Sequence, residues 1–77
     1  MEQHLGRLRP GQRARVAGLD ATGAVRRKLL ALGVTPGCEV ELVRCAPFGD
    51  PVEVALRGYR LCLRRLEAAC VRVEELA

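Results

Sequence analysis

Aromatic side chains are almost missing from this sequence: among 77 residues there is no tryptophan, one tyrosine (Tyr59) and one phenylalanine (Phe48). Single-strand nucleic-acid readers stack bases on aromatic platforms at about 1–3 kcal/mol per base, and proline-rich peptides lie in grooves lined with aromatics. Two rings far apart in sequence build neither surface. Serine is absent altogether, which removes the serine nucleophile. The single histidine, His4, falls in a terminal segment expected to be mobile, and the two aspartates, Asp20 and Asp50, have no partner at a recognisable spacing. The phosphate-cradling pattern G-x-x-x-x-G-K-S/T does not occur, which excludes the standard nucleotide loop. These absences point away from an enzyme, and no catalytic residue and no cofactor is expected.

Long apolar runs are missing as well. The longest stretch without a charge, LLALGVTPGC, is about half of what a membrane span needs and contains a Pro-Gly break. The opening MEQHLGRLRPGQ has no apolar region of the kind a secretory signal carries. The expectation is a cytoplasmic chain, not embedded in a membrane, with reduced thiols. Close cysteine pairs are also lacking: Cys38, Cys45, Cys62 and Cys70 are separated by gaps of six, sixteen and seven residues, whereas zinc and iron–sulfur sites draw two thiolates from one tight turn. The cysteines read as small hydrophobes. No metal site is expected, and a metal contact by His4 with the Met1 amine would be adventitious.

What is present is one domain, residues 1–77, with a core that must be built from Val, Leu, Ala and Cys. A domain of this size buries only about 60% of the surface its unfolded chain exposes. Thirteen basic residues, all but Lys28 arginine, against nine acids give a net charge of +4, which raises an anionic partner as a question. The basic residues run from end to end and mostly alternate with apolar ones, as the solvent face of a strand does. A small basic barrel binding nucleic acid therefore stands as an alternative, with salt-sensitive affinity as its mark.

Along the chain, Pro10-Gly11 suits the central positions of a type II turn and feeds an alternating strand, RARV, that ends near Gly18. In DATGAVRRKLLALG, Val25, Leu29 and Leu32 recur at helical spacing. Asp20 or Thr22 is placed to cap the start, and Gly33 sits where a left-handed residue closes a helix. The spacing predicts a short helix near residues 22–32, around which Arg26, Arg27 and Lys28 fan out while suiting the negative end of its dipole. A second Pro-Gly turn (Pro36-Gly37) leads into CEVELVRC, where Cys38, Val40 and Leu42 share one phase and Val43 and Cys45 the other. Such a slip marks a β-bulge or a sharp bend.

The segment CAPFGDPVEV follows. Ala46-Pro47-Phe48-Gly49 fits a type I turn, and Pro51 leads into the next strand without donating a hydrogen bond. VEVAL and YRLCL, with Gly58 between, read as a hairpin. A helical turn near 64–69 and a last strand with Val71 and Val73 inward complete a mainly β fold: about five short strands and one helix, a small SH3-like barrel.

The ordered set Leu8-x-Pro10-Gly11, LLALGVTPG (29–37), RCAPFGDPV (44–52) and GYRLCLRRLEAACVRV (58–73) resembles the FeoA family of ferrous iron transport accessory proteins over nearly the whole chain. The cysteines are the departure from that pattern. The resemblance implies a cytosolic SH3-like domain that is regulatory, not enzymatic, and associated with FeoB, the membrane ferrous iron transporter with a cytosolic G-protein part. The same module ends the DtxR-type metal-dependent repressors, the rival within the resemblance. With about ten residues ahead of the first strand, a complete repressor is not expected, while a clipped domain of one stands as an alternative. The partner-binding candidates are Arg26, Arg27 and Leu30 on the helix and Pro47, Phe48, Gly49 and Asp50 in the loop. Whether Phe48 packs on the barrel or faces a partner is left for the structure.

Overall fold

The computed structural model describes residues 2–76. A short strand β1 (Glu2–His4) runs into a 3-10 turn (Leu5–Arg7), followed by β2 (Arg13–Leu19), helix α1 (Gly23–Ala31) and β3 (Glu39–Cys45). Then come β4 (Val52–Leu56), β5 (Tyr59–Leu63), a single-turn helix α2 (Arg65–Ala68) and β6 (Val71–Glu75). One antiparallel sheet in the order β1-β6-β2-β3-β4-β5 joins all six strands. β1 and β5 are its edges, and it does not close by hydrogen bonding among the described residues.

All five strands expected from alternation form, and β1 is added to them. Three polar residues, Glu-Gln-His, carry no alternation to read. They become a strand because Gln3 and His4 lie opposite Val73 and Arg72 of β6. His4, expected in a mobile end, is therefore held in the sheet.

Local chemistry accounts for the connections. Both Pro-Gly pairs form turns closed by the next residue: Gln12 N–H donates to the Arg9 carbonyl at 2.9 Å and Cys38 N–H to the Thr35 carbonyl at 3.2 Å. α1 ends in a Schellman motif. Gly33 N–H bonds the Leu30 carbonyl and Val34 N–H the Leu29 carbonyl, both at 3.0 Å, and Leu29 and Val34 are fully buried across it. The β4–β5 hairpin turns on Arg57 and Gly58, both with positive φ (51° and 83°), the twist that suits a two-residue loop. The phase slip in β3 is a bulge: Leu42 faces Val54 but Arg44 faces Glu53, leaving Val43 unpaired. A second register shift lies in β2 between Val16 and Gly18, and bulges of this kind add local twist and bend.

The inward positions of the strands meet in one core. Val16, Val40, Leu42, Val54, Leu63 and Val73 are at most 2% exposed, and Leu5 from the 3-10 turn and Leu29 from α1 cover it. α1 contributes little more. Leu32 is half-buried and Val25 is 39% exposed, so the face drawn from 25, 29 and 32 is anchored mainly by Leu29.

Candidate docking surfaces

The first surface is the outer face of α1. Thr22 occupies its N-cap position without a side-chain hydrogen bond. Asp20, the other capping candidate, instead accepts from Arg72 Nε at 3.2 Å. The three basic residues divide. Lys28 lies in the last turn and reaches across to α2 with its side chain still half exposed, its Nζ 2.6 Å from Oε2 of Glu67. Arg26, Arg27 and Leu30, spaced i, i+1 and i+4, share the opposite side and are exposed, Leu30 by 37%. Neither arginine has an ion-pair partner among the described residues.

The second surface is the loop 46–51. Gly49 N–H donates to the Ala46 carbonyl at 2.8 Å, closing the expected turn around Pro47 and Phe48. Ala46 N–H bonds the Pro51 carbonyl at 3.0 Å, and the Asp50–Pro51 peptide is cis. Asp50 does more than lead into β4: its Oδ1 accepts the backbone N–H of Arg65 at 3.0 Å, tying the loop to the start of α2. Phe48 is 94% exposed. Its ring faces solvent and takes no part in the core.

The loop, α2 and the 3-10 turn border a depression of about 820 Å³ whose lining includes His4, Arg7, Gly49, Arg65, Leu66 and Ala69. Leu66 on its rim is 82% exposed. Sequence reading missed Arg7, Arg65 and Leu66. In RRLEAAC a single helical turn buries Glu67 and Ala68, and no local pattern says that Leu66 is left outside.

The structure brings Pro47, Phe48, Gly49 and Asp50 together in that loop, and Arg26, Arg27 and Leu30 on α1. Lys28 and Glu67 link α1 to α2. Glu67 also accepts the Arg64 backbone N–H at 2.8 Å. The hydrogen bond from Lys28 holds its carboxyl below the usual carboxylate range, the Arg64 N–H adding to the effect and burial opposing it.

The cysteines part company. Cys38 is buried among Val40 and Leu42 and Cys70 is half-buried, but Cys45 and Cys62 are exposed. The reading of the cysteines as small hydrophobes is thus corrected for Cys45, which follows the β3 bulge at the strand end, and for Cys62, which alternates with Leu61 and Leu63 on β5. Cys45 pairs with Val52 and Cys62 with Glu53, on opposite sides of β4, and both line a groove of about 270 Å³. Strands two places apart are separated by roughly 9–10 Å, beyond the reach of a disulfide. Among the described residues no three His, Cys, Asp or Glu side chains gather in a way that could hold a metal ion. His4 Nδ1 is buried without a hydrogen-bond partner.

Comparison with known proteins places this fold. The model of the FeoA domain matches residues 3–75. A Fe(2+) transport protein A/Fe(2+) transporter FeoB fusion protein of Porphyromonas gingivalis is 34% identical over 70 residues, 91% of this chain and 8% of that protein. The chain thus spans less than a tenth of that relative's length. The NMR structure of a FeoA-like protein from Clostridium acetobutylicum is 36% identical with a TM-score of 0.91, covering 99% of this chain and 88% of that one. FeoA of Stenotrophomonas maltophilia, a procaryotic SH3 domain protein solved in complex with zinc, is 33% identical with a TM-score of 0.82 over 94% of this chain and 89% of that one. A manganese-dependent transcriptional repressor shares the fold alone, at 22% identity and a TM-score of 0.90 over 97% of this chain and 37% of that one. With the family model matched over nearly every residue and the SH3-like architecture shared with its members, this chain belongs to the FeoA domain family.

Proposed function

We propose that this chain is a non-enzymatic accessory protein of ferrous iron uptake that works in the cytoplasm by binding the cytosolic part of a FeoB-type membrane transporter. The observation that carries the reading is the Porphyromonas gingivalis relative, in which the A and B proteins are one polypeptide. A covalent link raises the effective concentration of two modules for each other, and so favours a pair whose contact is useful. For the Stenotrophomonas maltophilia relative a role as a ferrous iron transport activating factor has been suggested, which agrees with an accessory part. None of the described helices is long and apolar enough to cross a membrane, so the membrane passage in this reading belongs to the partner. The surfaces offered to it are Arg26, Arg27 and Leu30 on α1 and Pro47, Phe48, Gly49 and Asp50 in the loop.

The test is a titration of the full chain with the cytosolic domain of the FeoB transporter from the same organism, comparing wild type with Arg26→Glu/Arg27→Glu and with Phe48→Ala. Saturable binding weakened by either change is expected. Unchanged binding by both variants removes these surfaces, and no binding by the wild type removes the reading.

A further inference from the structure

The loop 46–51 does not stand alone. Gly49 lines one wall of the 820 Å³ depression, Arg65, Leu66 and Ala69 of α2 line another, and Arg7 of the 3-10 turn closes it. Two of the largest apolar side chains outside the core flank it: Leu66, 82% exposed, lines the depression itself, and Phe48, 94% exposed, precedes Gly49 in the loop and lies outside the lining. The walls are braced against each other through the Asp50 carboxylate and the Arg65 N–H, and the loop is closed on itself by two backbone hydrogen bonds. A cleft held this way loses little freedom when something enters it.

Charge decides what enters. No carboxylate lines the depression, while Arg7 and Arg65 do, and neither arginine side chain has an ion-pair or hydrogen-bond partner among the described residues. The one acid of α2, Glu67, is turned away and occupied by Lys28 and the Arg64 N–H. Asp50, the acid of the loop, is engaged with the Arg65 backbone. Exposed apolar anchors beside unpaired guanidiniums are complementary to a short segment that carries apolar residues among acidic ones. The volume lies within the range of about 300–1,000 Å³ typical of ligand-binding clefts. α1 differs: it is a single helix surface, and its exposed large apolar side chains, Val25 and Leu30, are only 39% and 37% exposed.

We propose that the depression between the 3-10 turn, the 46–51 loop and α2 is a docking groove for an acidic, apolar-anchored peptide segment of a partner protein, with Leu66 as the anchor in the groove, Phe48 as a second anchor beside it on the loop, and Arg7 and Arg65 as its charge readers. This rests on the accessory reading only in that the partner is a protein, and it assigns the contact to the groove side of the domain.

The probe is a short fluorescein-labelled peptide of Leu and Phe set among Glu and Asp, with a counterpart in which Lys replaces every acid, and vesicles of phosphatidylserine and phosphatidylcholine. Anisotropy with the full chain is expected to show binding of the acidic peptide, no binding of the Lys peptide, and weakening as salt is raised. Amide resonances of Gly49, Arg65, Leu66 and Ala69 are expected to shift. Arg7→Glu/Arg65→Glu should weaken binding about tenfold or more, and Phe48→Ala/Leu66→Ser, at positions too exposed to hold the fold, should do likewise with an unchanged melting temperature. Shifts confined to α1, equal binding of both peptides, or vesicle binding without peptide binding would each overturn the proposal. The transporter titration separates the two readings. Binding lost with Arg26→Glu/Arg27→Glu but kept with Phe48→Ala/Leu66→Ser retains the accessory role and removes the groove. Peptide capture in the groove by a chain that ignores the transporter retains the groove and removes that partner.

Discussion

Lys28 and Glu67 lie 39 positions apart in the chain and meet at 2.6 Å, Nζ to Oε2. The contact ties the C-terminal half of α1 to α2, and it sorts the basic run of the helix: Lys28 is paired with Glu67, while Arg26 and Arg27 have no ion-pair partner among the described residues. Glu67 is 9% exposed, so its charge is kept in the protein by that ammonium and by the Arg64 N–H.

A depressed carboxyl pKa in the folded state makes stability depend on pH with a defined sign. The contribution of Glu67 is fully present above the unfolded value of about 4.3 and is lost as pH falls through the lower folded value. Thermal melts between neutral pH and pH 3 should show the wild type losing stability over this window. Glu67→Gln should be less stable at neutral pH by about 1–3 kcal/mol, the range for breaking a hydrogen bond to a charged group, and should lose less on acidification. Parallel pH profiles for the two proteins would remove Glu67 from the acid response.

Gly33 combines two demands. Its φ is +92°, and a Cβ there would stand 2.6 Å from the Tyr59 hydroxyl oxygen, which donates to the Leu32 carbonyl. Gly33→Ala should cost about 2 kcal/mol or more, from left-handed strain and from displacing that hydroxyl. A drop in melting temperature of roughly 8–16 °C is the expected readout for a domain of this size. Tyr59→Phe in the same background relieves the crowding only, so part of the loss should persist.

Thiol reactivity should follow burial. In the native protein Cys45 and Cys62 react promptly with a maleimide, while Cys38, 8% exposed, is labelled only after denaturant is added. Mass spectrometry of proteolytic fragments reads the order. A Cys45–Cys62 disulfide under mild oxidation would contradict their placement on either side of β4.

Phe48 and Leu42 make opposite predictions. Leu42 is fully buried, and Leu42→Ala should destabilise the domain by about 2–5 kcal/mol. Phe48→Ala should change stability by no more than about 0.5 kcal/mol, measured by urea denaturation. A larger loss would mean that the ring packs on the domain in solution and is not available to a partner.

Much of the fold was legible locally because its signals are local. Period-2 alternation marked β2 to β6, two Pro-Gly pairs marked the turns that feed β2 and β3, and Gly33 marked the end of α1. The bulge showed as a slip of one residue at Val43, since a strand cannot change phase without an extra residue. The partner candidates on α1 and in the loop were also named from the sequence, but the groove was not: Arg7, Arg65 and Leu66 come from segments distant in the chain.

The chain's own chemistry thus determined where backbone direction changes and which strand face is apolar, because steric limits on φ and side-chain alternation act within a few residues. Tertiary structure decided what no local pattern encodes. It set β1 against β6, turned Lys28 toward Glu67, left Leu66 outside while Ala68 went in, and braced the 46–51 loop through Asp50 to Arg65. It also placed the Phe48 ring in water. The turn that holds Phe48 is written in Pro47 and Gly49, but exposure depends on what other segments bring alongside, and here nothing in the core reaches it.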